Sequence, residues 1–529
     1  MAKKDSDIDS SLKLLAKSSL IVLVGIFMSK ILSYIYRIII ARYYGPEVYG
    51  LFSLAAIISG FFIVFSALGL NEGLLRYIAF YRGKKQISKI RNILKISLTV
   101  LFFSGIIAGI ILFLASDYIS IRIFHNYNLI FFLRIFSFAI PLFVLSQIFL
   151  SIIRAYERIG VYSFAFNILQ NFIKVLFLVI FIAFSFNSDS ISFSYVLGIF
   201  SMLIFSYFYC KYKIPEVFLK DKFYDKKLIK NFFSYSWPLL FFGVAANLLG
   251  WIDSLILGYL KSMANVGIYN AVMPIALLLT FAPELFTPLF FPLITKKFSE
   301  KSFKTIEQIS KQVTKWIFII NLPIFIIMIL FPGAIINILF GPEYLIASDA
   351  LRILAIGALV YTTFNLSSQL ISMTGRSKTI LVDMVLTSIV SIILNFILIP
   401  QKEVLFLNNE TGLIGAALAT AMSWVFFSVI LVFQTKKYLS ITPVRRKMIN
   451  IALYSLIPII FLLLLRVFFK SNIISLILIF ILFILVYVFI IFITKSLDNN
   501  DLMIIRDLKR KLYSLHPRFI SSSTRESKP

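Results

Sequence analysis

The 529-residue sequence contains few of the residues that most enzymes and metalloproteins use. It has one cysteine, Cys210, and two histidines, His125 and His516. A single cysteine excludes a disulfide framework and any zinc or iron–sulfur site built on cysteines. The GxxxxGK[ST] loop that holds nucleotide phosphates and the HExxH zinc motif do not occur in the sequence. We therefore expect no enzyme activity, no cofactor and no metal centre.

Charged residues are also scarce. They make up 14% of the chain, while hydrophobic residues make up 60%, and a soluble protein has roughly 25% charged residues. The deficit extends over the whole length, which excludes a soluble domain and a disordered chain. Apolar runs of about 20 residues can cross a bilayer as helices. About fourteen such runs predict an all-α polytopic membrane protein.

The formal charge of +28 is distributed unevenly between the connecting segments. If the N-terminus is cytoplasmic, every other connection is cytoplasmic, and these segments hold most of the 52 lysine and arginine residues. Basic loops remain in the cytoplasm during insertion. We therefore expect both termini to be cytoplasmic in the plasma membrane. The positive charge should face anionic lipid rather than nucleic acid.

An internal repeat divides the first twelve spans into two halves. Residues 132–158 align without gaps with residues 350–376, and residues 34–53 align with residues 250–270, which places Gly50 on Gly267. Six spans per repeat is an even number, so the repeats should have parallel topology and form two lobes around a central cleft. Two further helices follow at the C-terminus.

This repeat gives the expected organisation of the chain. Its parts are a cytoplasmic N-terminus (1–17), an N-lobe (18–210), a cytoplasmic linker (211–231), a C-lobe (232–433), a loop with two additional helices (434–494) and a basic cytoplasmic tail (495–529). Within the tail, Leu502 to Leu515 is amphipathic and is expected to lie on the membrane surface.

Three basic residues lie inside predicted spans. Lys30 is near the middle of the first span, too far from either interface for its ammonium group to reach water. Arg37 lies seven residues later on the same helical face, and Lys174 follows a polar stripe in the fifth span. Charged residues in the membrane face protein or a water-filled cavity. The three are candidates for a cationic, substrate-binding cavity, with buried ion pairs as the alternative.

Acidic residues inside the spans are the second set of candidates. Asp253 aligns with Arg37 in the repeat, Glu284 lies in a span with four prolines, and Asp383 begins a polar stripe on the eleventh span. They could exchange H⁺ or Na⁺ to drive transport, or pair with the buried cations. Glu72 and Arg76 are four residues apart and are expected to pair with each other.

Several segments resemble the polysaccharide-biosynthesis flippases, in the superfamily that also holds the multidrug and toxin extrusion exporters. The segments are ARYYGPEVYGLFSLA (41–55), GLNEGLLRYIAFYRGKK (69–85), GWIDSLILGYL (250–260), VGIYNAVMP (266–274), LFGPEYLIASDALRILAIG (339–357) and TGLIGAALATAMSW (411–424).

The resemblance implies a fold of two six-helix lobes that work by alternating access, as a monomer. It also implies a lipid-linked oligosaccharide as substrate, carried on an isoprenoid phosphate or pyrophosphate from the cytoplasmic to the outer leaflet. Membrane lipids and other glycan-assembly proteins are the further expected partners. A cation-coupled multidrug exporter and a peptidoglycan-precursor flippase remain the alternatives. By the same resemblance, Lys30 and Arg37 are the residues expected to hold the phosphate.

Overall fold

The computed structural model describes residues 2–219, 224–443, 445, 447–468 and 473–494. The amphipathic tail segment predicted for Leu502 to Leu515 lies outside these residues. Nearly all of the described chain is helical, as its composition predicts. The helices are α1 (Ala2–Ala67), α2 (Leu70–Gly83), α3 (Ile87–Tyr118), α4 (Leu129–Ala155), α5 (Ile159–Ser163), α6 (Gln170–Ala183), α7 (Asp189–Lys213), α8 (Lys226–Leu260), α9 (Met263–Ala276), α10 (Phe281–Ser299), α11 (Phe303–Leu330), α12 (Pro332–Leu339), α13 (Ser348–Phe364), α14 (Leu366–Met373), α15 (Ser377–Leu398), α16 (Leu413–Leu439), α17 (Lys447–Tyr454), α18 (Leu456–Phe468) and α19 (Ile473–Ile493).

Shorter elements join some of these helices. Two π-helical turns and three 3₁₀ turns lie between them, and one antiparallel hairpin pairs Glu403 with Asn408 and Val404 with Leu407. The turns are Ile119–Ile123 and Phe164–Leu169 (π), and Pro215–Val217, Leu277–Thr280 and Pro342–Ala347 (3₁₀); the strands are β1 (Glu403–Val404) and β2 (Leu407–Asn408).

Twelve helices in the described part of the chain are long and apolar enough to cross a membrane. The first, Val24–Ala67, has 44 residues, or about 66 Å of helix, which is roughly twice the thickness of the hydrocarbon core. It is broken at Gly45, where φ is 80° and Pro46 follows. A positive φ is readily adopted by glycine, so the chain can turn back there. The count of fourteen spans and the repeat layout stay predictions.

The helix bundle has two distinct ends. One carries the break at Gly45 and the segments 332–347 and 400–412, and we call it the Gly45 end. The other, the basic end, carries the turns at 84–86, 156–158, 214–217 and 299–302. Contacts join these turns: Arg82 donates to the Ala155 carbonyl, and Arg91 donates to the Glu216 carbonyl.

We call α1–α7 the N-terminal half and α8–α16 the C-terminal half. In the first, α4 packs against α3 and α7; in the second, α16 packs against α13 and α15. The halves meet where α1 crosses α9 and where α2 crosses α8. One large hydrophobic core extends across both halves. The helices α17 and α19 pack outside this core against α11.

Prolines shape the second helix of the contact between the halves. Pro274 lacks an N–H, so the carbonyl of Asn270, four residues earlier, has no donor within α9. This carbonyl instead accepts a hydrogen bond from the Tyr49 hydroxyl of α1 at 3.1 Å. After Pro274 the helix tightens into the 3₁₀ turn Leu277–Thr280 before α10 begins. The irregular backbone around Pro274 therefore lies where the two halves contact each other.

Candidate functional site

A polar cavity of about 260 Å³ lies between the two halves. Both halves contribute to its wall, which is made by α1, α6 and α7 on one side and by α8 and α9 on the other. Two of the three basic residues predicted to line a cavity, Arg37 and Lys174, meet here. The polar and aromatic lining residues are Ser33, Tyr36, Arg37, Phe52, Ser53, Asn171, Lys174, Tyr195, Asn247, Trp251 and Asn270.

Lys174 is a buried residue of the cavity wall. Its side chain is 8% exposed, and its ammonium nitrogen lies 4.1 Å from the centre of the Tyr195 ring. A β-carbon on Gly198 would come within 2.4 Å of Lys174 Cγ, so the missing side chain at 198 makes room for the lysine. Among the described residues, no carboxylate forms an ion pair with Lys174. The aromatic face of Tyr195 therefore stabilises the ammonium group through its quadrupole.

Arg37 reaches the cavity from α1. One guanidinium nitrogen donates to the Tyr49 hydroxyl at 3.2 Å, and that hydroxyl donates to the Asn270 carbonyl across the boundary between the halves. Within the described chain, the salt bridges do not include Arg37. A guanidinium has five N–H donors, so most of its donor capacity remains available to a ligand.

No aspartate or glutamate lines the cavity in the part of the chain that the structure describes. The remaining polar lining is made of hydroxyls and amides, including Asn247 and Asn270 of the C-terminal half. Sequence reasoning missed these residues together with Tyr195 and Trp251, because uncharged side chains in a span are more often helix contacts. The described lining of the cavity therefore carries positive charge without a compensating carboxylate.

Lys30 is placed apart from the other two basic residues. Its ammonium nitrogen lies 2.9 Å from a carboxylate oxygen of Glu284 on α10, and 5.6 Å from the Phe281 ring centre. The Thr280 hydroxyl donates to the other Glu284 oxygen at 3.0 Å. The side chains of Lys30 and Glu284 are 28% and 41% exposed. The ion-pair alternative thus describes Lys30 in this conformation, and the pair joins the two halves.

Asp253 does not face Arg37, although the two align in the repeat. Its carboxylate is 3% exposed and lies within the C-terminal half. It accepts hydrogen bonds from the Tyr269 hydroxyl at 2.6 Å, the Thr420 hydroxyl at 3.0 Å and the Ser254 amide at 2.7 Å. No cation forms an ion pair with it among the described residues.

Asp383, the third acidic candidate, lies between α15 and α16. It is 3% exposed, and one of its oxygens, Oδ1, accepts a hydrogen bond from the Gln434 side-chain amide at 2.8 Å. The structure therefore places Asp253, Glu284 and Asp383 in three separate environments.

The expected pairing of Glu72 with Arg76 is wrong. Glu72 instead pairs with Arg154 of α4 at 3.2 Å, and the Arg76 guanidinium lies over the Tyr235 ring at 4.0 Å. A pair spaced by four residues on one helix is worth only a few tenths of a kcal/mol. A guanidinium on an aromatic face gains about 0.5–1 kcal/mol or more, so the contacts between helices prevail here.

Close contacts hold the halves together at the Gly45 end. Arg42 donates to three successive carbonyls at the C-terminus of α12, those of Asn337, Ile338 and Leu339, at 2.5–3.2 Å. The Tyr344 hydroxyl donates to the Ala41 carbonyl at 3.1 Å. A cation at a helix C-terminus is favoured by the helix dipole. Arg42 therefore connects the two halves.

The backbones of α1 and α9 also approach each other closely at this end. A β-carbon on Gly50 would lie 1.9 Å from the Met263 carbonyl oxygen, and one on Gly267 would lie 1.9 Å from the Pro46 carbonyl oxygen. Only glycine fits at either position. The repeat alignment paired these two glycines, and in the structure they face each other.

Known proteins resemble this chain in sequence and in fold. It is 26% identical to the uncharacterized membrane protein MJ1068 of Methanocaldococcus jannaschii, over 83% of the chain and 88% of the relative. It is 23% identical to a putative O-antigen transporter of Shigella flexneri, over 74% and 90%. The structure of the lipid II flippase MurJ in an inward closed conformation superimposes with a TM-score of 0.67 at 19% identity, over 93% of the chain and all of MurJ.

Two family models match the sequence. The MatE model matches residues 238–397, in the C-terminal half. The model described as polysaccharide biosynthesis protein matches residues 15–296, which is more than half of the chain and includes both sides of the cavity. The multi-pass membrane fold and the family expected from the motifs are confirmed, and the chain belongs to the polysaccharide biosynthesis protein family.

Proposed function

We propose that this protein is a flippase for an isoprenoid-phosphate- or pyrophosphate-linked oligosaccharide. It moves the saccharide from the cytoplasmic to the outer leaflet of the plasma membrane, for assembly of surface polysaccharide or glycan, and it catalyses no chemical reaction. The basic end is cytoplasmic in this proposal. The family and the name of the O-antigen relative support the substrate class.

The observation that carries the proposal is the pair Arg37 and Lys174 in one cavity without a counter-carboxylate among the described residues. A buried cation is costly unless an anion compensates it. A phosphate or pyrophosphate would supply that charge, and guanidinium is the side-chain group whose geometry matches phosphate oxygens best. The amides and hydroxyls of the lining would hydrogen-bond to the sugar.

The same cavity argues against a cationic drug as cargo. Two basic side chains would repel such a compound, and the described lining offers no carboxylate to bind it. Lys30 remains the third proposed phosphate contact, near the boundary of the halves. To bind cargo, the Lys30 ammonium group must release the Glu284 carboxylate and bind a phosphate instead.

A gradient of H⁺ or Na⁺ is the proposed driving force. Asp253, Glu284 and Asp383 are the acidic candidates for this role, and each has a different environment. The protein is proposed to act as a monomer, with membrane lipids and other glycan-assembly proteins as its neighbours.

The test is a strain that lacks this protein. Its lipids are extracted and analysed by mass spectrometry, and its surface glycan is measured. We expect a lipid-linked oligosaccharide to accumulate on the cytoplasmic leaflet while surface glycan is lost, and the wild-type protein to reverse both effects.

Two other results would point elsewhere. Normal surface glycan with increased sensitivity to cationic compounds would make the protein a drug exporter. Accumulation of the peptidoglycan precursor would make it a lipid II flippase like MurJ. The same strain is then complemented with the Arg37→Ala and Lys174→Ala variants. If these variants fail to restore the wild-type phenotype, the function depends on the cavity.

A further inference from the structure

A second buried polar site lies between α15 and α16, away from the cavity. Gln434 donates from Nε2 to Oδ1 of Asp383 at 2.8 Å. The other two oxygens of the pair, Oδ2 of Asp383 and Oε1 of Gln434, are also buried, and no donor in the described part of the chain reaches either of them. Two acceptors are thus left without a hydrogen bond.

A hydrophobic cluster lies between the helices α15 and α16, which carry this pair, and their neighbours α8 and α14. Its buried members are Ala245, Ile371, Ile380, Met384, Phe427 and Leu431. Asp383 lies about 9 Å along α15 from its first residue, Ser377, at 1.5 Å per residue. An ionised carboxylate that is buried and has no cation beside it is strongly disfavoured.

Among the described residues, no charged side chain forms an ion pair with Asp383. On α15, Lys378 is exposed. In the preceding turn, Arg376 lies over the Tyr438 ring at 3.9 Å. On α8, Asp253 is bonded to Tyr269 and Thr420. Asp383 also forms no ion pair, among the described residues, with the lysines at the start of α8 and the end of α16, which are Lys226, Lys227, Lys230, Lys436 and Lys437. The helix α14 carries no charged residue. Tyr361 of α13 packs against the hydrophobic cluster.

We propose that Asp383 and Gln434 form a proton-binding site, and that Asp383 carries the proton in this conformation. A proton taken from water binds the Oδ2 lone pair, so the carboxylate becomes a neutral acid and Oδ2 becomes a donor. Gln434 then keeps its bond to Oδ1 and offers Oε1 as an acceptor. Release reverses the step: the O–H bond breaks, the proton returns to water and the carboxylate is ionised.

A proton fits this site better than a metal cation. Hard cations such as Ca²⁺ take six to eight oxygen ligands, whereas only two unpartnered oxygens are present here. Among the described residues, no three acidic, histidine or cysteine side chains are grouped as metal ligands. One proton, by contrast, removes the charge of the carboxylate without needing further ligands.

The site provides a place for H⁺ in the proposed coupling. Only this role in coupling rests on the proposed function, because a proton can bind at Asp383 whether or not cargo is present. When α15 and α16 move relative to each other and water reaches Asp383, ionisation becomes favourable. Proton release would then accompany the change of conformation.

The test is infrared spectroscopy of the full chain in lipid nanodiscs near neutral pH, in choline chloride. A protonated carboxylic acid has a C=O stretching band that a carboxylate lacks. We expect Asp383→Asn to remove absorbance equal to one carboxylic acid. The matched control, Asp253→Asn, changes another buried aspartate in the same half and should leave the Asp383 band in place.

A second variant keeps the proposal testable if Asp383→Asn fails to fold. Gln434→Leu removes the donor to Oδ1, so the acid band should remain and shift in frequency. An unchanged spectrum in a folded Asp383→Asn variant, or an unshifted one in Gln434→Leu, would overturn the proposal. Loss of the Asp383 band when sodium replaces choline would also overturn it, in favour of a Na⁺ site. None of these results tests the flippase proposal, because no cargo is present in the experiment.

Discussion

Arg37 and Lys174 are stable in the membrane interior for different reasons. Arg37 donates to Tyr49, whereas Lys174 lies against the face of Tyr195. Neither contact neutralises a charge. Cargo phosphate would gain a charge-assisted hydrogen bond from each, worth about 1.5–3 kcal/mol.

We therefore expect Arg37→Ala or Lys174→Ala to lower the flipping rate about tenfold or more, since 1.4 kcal/mol corresponds to a factor of ten. The measurement is flipping of extracted lipid-linked oligosaccharide in proteoliposomes. Arg122→Ala is the matched control, because Arg122 is exposed and does not line the cavity. Wild-type rates in both cavity variants would exclude these cations from cargo binding.

For Lys30 and Glu284, the expected effect on flipping depends on which of the two residues is substituted. If Lys30 exchanges Glu284 for phosphate, Lys30→Ala should strongly reduce flipping. Glu284→Gln should not reduce it, because the amide no longer competes with phosphate for the ammonium group. The same proteoliposome assay compares the two variants. Equal loss in both would mean that the pair serves only to join the halves.

At the residue scale, the sequence predicted which charged side chains lie within the spans better than it predicted which residues they contact. Hydropathy alone identified Lys30, Arg37 and Lys174, because a charge within an apolar run is conspicuous. The partner of Lys30 lies on α10, far away in the sequence, and no local pattern connects it to Lys30. The Glu72 prediction failed for a related reason: it considered one helix only, and Arg154 approaches from another.

The helices α1 and α9 approach each other closely at Gly50 and Gly267, in addition to their side-chain contacts. Because a β-carbon at Gly50 would collide with the Met263 carbonyl, Gly50→Ala must push the two backbones apart. Overpacking of this kind costs about 1–3 kcal/mol. We expect a lower thermal unfolding temperature in detergent, measured by intrinsic fluorescence.

Gly60→Ala provides the matched control on the same helix. The nearest atom to a β-carbon there is 3.9 Å away, so the methyl group fits without displacement. Its unfolding temperature should equal that of the wild type or exceed it, because alanine favours the helix. If Gly50→Ala were as stable as Gly60→Ala, the close approach of α1 and α9 would contribute nothing to stability.

Element boundaries were predictable where the sequence carries a backbone signal. Gly45 with Pro46 marks the break in α1, and Pro274 marks the irregular turn after α9. The π-helical turn Phe164–Leu169 has no such signal, because its i→i+5 hydrogen bonds depend on how the helix packs. The repeat aligned Gly50 with Gly267, but the alignment does not by itself predict that the two positions are in contact.

At the scale of the whole molecule, the cavity is so small that the two halves must move before an oligosaccharide can enter. Ligand pockets for drug-sized molecules measure about 300–1,000 Å³, whereas this cavity holds about 260 Å³. A phosphate group fits that space, but an oligosaccharide does not. The two halves must therefore separate to admit cargo, and the contacts between them determine at which end they open.

Arg42 provides a test of opening at the Gly45 end. It is the only residue of the described chain that bonds to all three carbonyls at the C-terminus of α12, and Arg42→Ala leaves those carbonyls without its charge. We expect the closed arrangement to weaken and the cavity to become accessible from the Gly45 end more often. Stability should change little, because Arg42 is exposed.

The cavity can be probed with a single thiol. Cys210→Ala removes the one cysteine, and Ser53→Cys then places a thiol in the lining, where the serine hydroxyl is buried and has no partner among the described residues. In whole cells, a membrane-impermeant maleimide should label this thiol several-fold faster in the Arg42→Ala background. Arg352→Ala is the matched control, since among the described residues Arg352 bonds only within its own half, to Asp349 and the Ile329 carbonyl. Equal labelling in the two backgrounds would show that Arg42 does not control opening at the Gly45 end, and that the glycine contact of α1 and α9 keeps this end closed without it.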